Sequence, residues 1–292
     1  RMCTELKGEK SFFLPFNKGF NDGAGNPPNP GGVKTDYLWK QILTKSELSN
    51  ILENYAQVIE EKDEDTGKKS YKQIFPRYHQ LHVVKALLAD AARDGTGHRY
   101  LIQHSAGSGK SNSIAWLAHQ LVTLKNANGQ VFDTIIVVTD RINLDKQIKD
   151  TIRQFMQVSS TVGWAKDSGE LRQLLDDGKR VIITIVHKFQ FILNDISDAY
   201  KHKKFALIID EAHSSQNGSL SAKMNIVLSG NVYNDGDELE DKINSLIEGK
   251  RMAQNASYFA FTATPKNKTL EMFGKTIVDE NGNPILNEDG TK

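Results

Sequence analysis

The 292-residue sequence contains one cysteine, Cys3, so it can form no internal disulfide and no cysteine-based metal cluster. That usage fits a reducing compartment, and the expected location is the cytoplasm. No apolar run approaches the roughly 18 to 20 residues of a helical membrane span, and the opening RMCTELKGEK lacks the apolar core of a secretion signal, so no membrane role is expected. Charge of one sign is lacking too. The 37 basic and 36 acidic residues leave a net +1, so any contact with a polyanion has to be local. Because the chain starts with Arg1 rather than Met, it reads as a piece of a longer protein. What it does have, 38% hydrophobic residues, is enough to build a packed α/β core.

A strand-like run, Ser11 to Phe16, precedes NDGAGNPPNPGG (Asn21 to Gly32), whose glycine and proline density excludes regular structure. Leu48, Ile51, Leu52, Tyr55 and Val58 then follow helical spacing. The charged stretch Glu60 to Lys69 reads as a solvated turn or, alternatively, an interaction surface, and the domain boundary is expected there. From Tyr71 on, strands alternate with helices. Apolar runs such as Ile135 to Val138 and Val181 to Val186 suit parallel strands covered on both faces. The expected fold is α/β: a doubly wound, mostly parallel sheet with helices on both faces, preceded by a linker and helical segment. The expected divisions are residues 1–70, 71–275 and a C-terminal hairpin over 276–292, turning around Asn281 to Pro284.

HSAGSGKS (His104 to Ser111) follows the apolar strand Tyr100 to Gln103 and opens a helix, the setting a phosphate-binding loop requires. Gly107 and Gly109 let the backbone turn its N–H groups toward anionic oxygens. Lys110 would reach the β- and γ-phosphates of ATP, and Ser111 offers a hydroxyl to Mg²⁺. His104 stands where the strict pattern has its first glycine, which weakens the motif taken alone. The competing reading is a Gly/Ser turn that merely precedes a helix. A second element counts against that reading: the apolar strand Ala206 to Ile209 ends in Asp210 and Glu211. Asp210 would hold Mg²⁺ through its water shell, and Glu211 would orient or deprotonate the attacking water. His213 is either a coupling residue or a solvent-facing loop histidine. In FPRYHQ (Phe75 to Gln80), Gln80 has an amide able to pair with adenine, although an ordinary helix start with Pro76 in its first turn is the alternative.

In order along the chain, FPRYHQ, SAGSGKS, VVTDRINLDKQ, ITIVHKF, DEAH and FTATP resemble the motifs of the first motor domain of superfamily 2 helicases. With FLPFNKGFNDGAGNPPNP, RYLIQHSAGSGKSNSIAWLAHQL and DEAHSSQ, the chain resembles over nearly its whole length the R subunit of a type I restriction-modification enzyme. The resemblance implies a RecA-like P-loop NTPase domain that couples ATP hydrolysis to movement along double-stranded DNA before cleavage. It further implies a preceding nuclease domain, a second motor domain, and partner methyltransferase and specificity subunits.

The nucleotide contacts so implied are Arg77, Gln80, Ala106, Gly107, Ser108, Gly109, Lys110, Ser111 and Asn112. The DNA contacts are Thr139, Asp140, Arg141, Thr184, His187 and Lys188, with Arg141 and Lys188 also readable as ordinary loop cations. Thr262, Ala263 and Thr264 match the motif that links ATP state to DNA grip, the plain alternative being a strand-to-turn ending. The stretch from 214 to 255, with NDGDELEDK, reads as a surface insertion. Glu5-Leu6-Lys7 matches the family's nuclease E-x-K element only superficially and reads as a surface strand. Outside this family, the rival readings are another superfamily 2 helicase or remodeller and a nucleotide-binding module without turnover.

Overall fold

The computed structural model describes residues 2–3, 6–11, 13–21, 23–62, 66–105, 107–139, 152, 162–165, 168–185, 199–210, 254–265, 269–270 and 273. After a π-helical turn over Leu38–Ile42, the first α-helix, α1 (Lys45–Asn54), starts where Thr44 accepts a hydrogen bond from the Glu47 N–H at 3.4 Å. It is followed by a hairpin of β1 (Gln57–Lys62) and β2 (Lys69–Ile74), then α2 (Tyr78–Asp94), β3 (Arg99–Gln103) and α3 (Lys110–Thr123). A short ribbon, β4 (Lys125–Asn126) and β5 (Gly129–Gln130), leads to β6 (Thr134–Thr139). After it come β7 (Val162–Trp164), α4 (Ser168–Asp176), β8 (Val181–Ile185), β9 (Phe205–Asp210) and β10 (Ala256–Thr262).

Six strands form one sheet in the order β3-β10-β9-β6-β8-β7, and every pairing is parallel. The central strands β6, β9 and β10 are buried at every position, which is why their sequences run apolar instead of alternating. Successive residues still point to opposite faces. Ile135, Val137, Ile208, Phe259 and Phe261 join a core layer with α2 and α3. Ile136, Val138, Leu207, Ile209, Tyr258 and Ala260 join a second layer with Leu171 and Leu175 of α4. The doubly wound α/β expectation is met, with helices on both faces. Among the described residues no helix is long and apolar enough to cross a membrane.

The N-terminal segment differs from expectation. Phe16, Tyr37, Ile42, Ile51 and Tyr55 belong to the same buried cluster as α2, α3 and the sheet, so this segment shares the core instead of linking to it. Trp116 of α3 donates its indole N–H to the Tyr55 carbonyl at 2.9 Å. The boundary expected after residue 70 falls inside the β1–β2 hairpin, because Glu60 to Lys62 and Lys69 remain in the ladder. The helical spacing from Leu48 also breaks early. α1 stops at Asn54, Val58 lies in β1, and Leu52 and Val58 are exposed, since the turn into a strand changes the period from 3.6 to 2. Of the strand-like run Ser11 to Phe16, Leu14 forms an isolated bridge to Met2. The expected 276–292 hairpin and residues 214–253 of the insertion lie outside the described residues.

Candidate phosphate-loop site

The register of the sheet assembles the site. Thr262 of β10 pairs with Gln103 of β3, and Phe261 pairs with Asp210 of β9, so three carboxyl ends lie side by side at one edge. Lys110 begins α3 and Asp210 ends β9. Their side chains, 17% and 7% exposed, meet with Nζ 3.5 Å from Oδ1. A cation and a carboxylate 100 residues apart in sequence thus share the point where open α/β sheets place their ligands.

Between them runs the loop. Gly107 and Gly109 have φ values of 72° and 84°, in the left-handed region that glycine adopts without strain. An added Cβ would meet nothing within 4 Å at Gly107, but at Gly109 it would lie 2.5 Å from Gln80 Nε2. Ser111 and Asn112 follow Lys110 in the first turn of α3, where the positive end of the helix dipole favours anions; the Asn112 N–H itself donates to the Gly109 carbonyl at 3.1 Å.

Two residues of α2 hold the loop from below. His79 Nε2 lies 3.2 Å from the Ser108 carbonyl, and since a carbonyl only accepts, Nε2 carries the proton. Gln80 donates to the Gly109 carbonyl at 2.9 Å and accepts from the Arg77 N–H at 2.8 Å. The amide expected to read adenine is therefore turned into the protein, with Gln80 only 3% exposed. Its geometry gives it the work of supporting the loop. Arg77 sits at the N-cap of α2. The start of that helix is in turn clamped by the N-terminal segment: Phe16 and Tyr37 meet the Tyr78 ring edge-on at 5.8 and 5.4 Å, and Tyr37 donates its hydroxyl to the Phe16 carbonyl.

His104, which the sequence presents as a defect in the motif, lies at the centre of the support. It is 4% exposed. Its N–H extends the ladder to the Thr262 carbonyl at 2.7 Å, Nδ1 meets Ser108 Oγ, and Nε2 lies 3.3 Å from Ser113 Oγ on α3. Burial, the neighbouring His79 and the Lys110 ammonium push His104 down to about 4, so it is neutral near pH 7. Burial also lowers His79, the Ser108 carbonyl opposing this and Arg77 adding to it. His79, His104 and Ser113 are the site residues that sequence reasoning missed. The available signal was the histidine itself, a bulky polar group at a glycine position.

The remaining expected residues divide sharply. Thr139 and Thr184 are fully buried, and Thr139 donates to the Thr184 carbonyl at 3.5 Å. They do not present hydroxyls to DNA as expected, because both are still inside the ladder of β6 and β8. Thr262 is buried, Ala263 half-buried and Thr264 exposed. Thr262 is joined through its carbonyl to the His104 N–H. Ala106, Asp140, Arg141, His187, Lys188, Glu211 and His213 lie outside the described residues.

Comparison with known proteins bears on this architecture directly. The SWI2/SNF2 ATPase family model matches residues 79–281. A type I restriction enzyme endonuclease subunit of Staphylococcus saprophyticus is 27% identical over 214 residues, covering 69% of this chain and 19% of that protein. The HindI endonuclease subunit of Haemophilus influenzae is 28% identical over 233 residues, covering 74% and 20%. The chain therefore spans about a fifth of the length of these relatives. Among solved structures, the UvsW helicase of bacteriophage T4 aligns with a TM-score of 0.42 at 13% identity, covering 79% of this chain and 65% of that one. The family match covers more than half of the chain and takes in all of α2 but its first residue, the glycine loop and all six strands of the parallel sheet, so the chain, which is similar to part of type I restriction enzyme endonuclease subunits, belongs to the SWI2/SNF2 ATPase family.

Proposed function

We propose that this domain binds ATP with Mg²⁺ on the 104–111 loop and that the full-length protein spends its hydrolysis on movement along double-stranded DNA before cleavage. In this reading it is the first motor domain of a type I restriction R subunit, working with methyltransferase and specificity subunits. The observation that carries the reading is the approach of Lys110 to Asp210, 3.5 Å apart at the foot of a glycine loop. This donor set fits a magnesium nucleotide: turned backbone N–H groups and an ammonium for phosphate oxygens, with the Ser111 hydroxyl and the Asp210 carboxylate for a hard cation. Bound magnesium supplies positive charge against the charge on the phosphates.

The chain's own residues do the rest. Lys110 orients the outer phosphates, the loop residues Ala106 to Asn112 surround the inner ones, and Arg77 stands at the rim. Glu211, next to Asp210, positions water for in-line attack and accepts its proton. Asp140 and Arg141, after β6, and His187 and Lys188, after β8, contact the DNA backbone without regard to sequence. His213 and Thr262 to Thr264 pass the state of the site to that track. Support for the restriction reading comes from the relatives' names, which describe endonuclease subunits.

The test is nucleotide titration of the full-length protein and its Lys110→Ala variant, with affinity expected to fall at least about tenfold. Undiminished affinity would overturn the site assignment. ATPase assays with and without double-stranded DNA then distinguish a motor, stimulated by DNA, from a module that binds nucleotide without turnover.

A further inference from the structure

We infer that His104 is a positioning residue that joins the phosphate loop to the end of β10: its imidazole sets the loop's shape through Ser108 and Ser113, while its backbone N–H, one residue past β3, bonds the Thr262 carbonyl at the start of Thr262–Ala263–Thr264. This rests on the nucleotide site proposed above and adds to it a route by which loop and coupling segment move together.

The hydrogen bonds fix the imidazole's state. Ser108 donates its hydroxyl to the Ser105 carbonyl, so it can meet the ring only as an acceptor, and His104 must carry its proton on Nδ1. Nε2 is then a bare acceptor, and Ser113 at 3.3 Å donates to it. A neutral ring satisfies both bonds at once, consistent with the downward shift that burial imposes. A glycine at this position would keep only the N–H bond to Thr262 and leave Ser108 and Ser113 without the ring.

The connection runs across four elements. His104 continues β3, bonds β10 through the Thr262 carbonyl, bonds the loop through Ser108, and bonds α3 through Ser113. His79 of α2 adds a fifth: its ring centroid lies 5.2 Å from that of His104, and it grips Ser108 from the carbonyl side. Thr262 is paired with Gln103 at the end of the ladder, its carbonyl accepts from the His104 N–H, and its buried hydroxyl has no hydrogen-bond partner among the described residues. A displacement of Ser108 when the loop closes on phosphate is thus felt at the residue that begins the coupling segment.

Two substitutions separate the arms of the ring. Asparagine places an amide N–H near the Nδ1 position and keeps the donor to Ser108. Glutamine reaches the Nε2 position and keeps only the contact to Ser113. In the full-length protein, His104→Gln is expected to weaken ATP binding about tenfold, the loss when a buried hydrogen-bonding group loses its partner, and to reduce the stimulation of ATPase by DNA. His104→Asn should recover affinity to within about threefold. Melting temperature, measured without nucleotide, controls for simple destabilisation.

If Gln and Asn bind ATP and respond to DNA like wild type, or if both lose affinity in step with their melting temperatures, the positioning role is wrong. Failure of the underlying site looks different. In that case Lys110→Ala binds nucleotide as wild type does, whereas the His104 inference fails with Lys110→Ala inactive and His104→Gln unimpaired.

Discussion

Replacing Gly109 with alanine puts two separable demands on the loop, and Gly107 provides the control. Both glycines have positive φ, 72° and 84°, so alanine at either costs about 1–2 kcal/mol of backbone strain. At Gly107 nothing lies within 4 Å of the new Cβ, and strain is the whole cost. At Gly109 the Cβ would lie 2.5 Å from Gln80 Nε2, an impossible contact. Gln80 cannot swing aside freely, because it is 3% exposed and bonded to both the Gly109 carbonyl and the Arg77 N–H. Moving it leaves a buried amide poorly paired, at about 1–3 kcal/mol. Gly109→Ala should therefore cost about 2–5 kcal/mol against about 1–2 for Gly107→Ala, a large share of the roughly 5–15 kcal/mol that holds a domain folded. Urea unfolding without nucleotide measures the difference, provided the m value is unchanged. Adding Gln80→Ala to Gly109→Ala should cost at least about 1 kcal/mol less than the sum of the single changes, because the colliding amide is gone. Equal costs at the two glycines, or strict additivity with Gln80→Ala, would refute the proposed bracing of the loop.

Two further outcomes are expected. Trp116→Phe removes the donor that ties α3 to the Tyr55 carbonyl at 2.9 Å and should cost about 1–3 kcal/mol, with faster proteolytic cleavage between residues 16 and 56; an unchanged cleavage rate would mean that the N-terminal segment docks independently of this bond. The pH dependence follows from His104, whose folded value of about 4 lies below the ordinary 6.5, so the unfolded chain binds the proton first. Stability is then intact above about pH 6.5 and falls as pH drops toward 4, with His79 and His119, both also lowered, adding in the same direction while the Lys110 ammonium opposes protonation of His104. Denaturation at pH 7 and pH 5 should show a smaller acid loss in His104→Gln than in wild type; equal losses would remove His104 from the account.

The amino-acid sequence determined the elements whose signal is local. β6, β9 and β10 are legible because strands buried on both faces must be apolar throughout, and α3 is legible because a glycine loop hands directly into a helical pattern. The glycine loop itself, Lys110 and the carboxylate ending β9 could be read one residue at a time. Gln80's role could not, since an amide looks the same whether it faces a base or a backbone carbonyl. Nor could the burial of Thr139 and Thr184, which depends on how far β6 and β8 run as a pair. The tertiary structure alone decided the strand order, which sets β10 between β3 and β9 and brings Lys110 to Asp210. It alone turned His104 from a missing glycine into the joint between Thr262, Ser108 and Ser113. The physical reason is range: hydrophobic period and turn chemistry act over a few residues, whereas the edge that carries this site is made by pairing β10 with β9 and with β3, the latter more than 150 residues away.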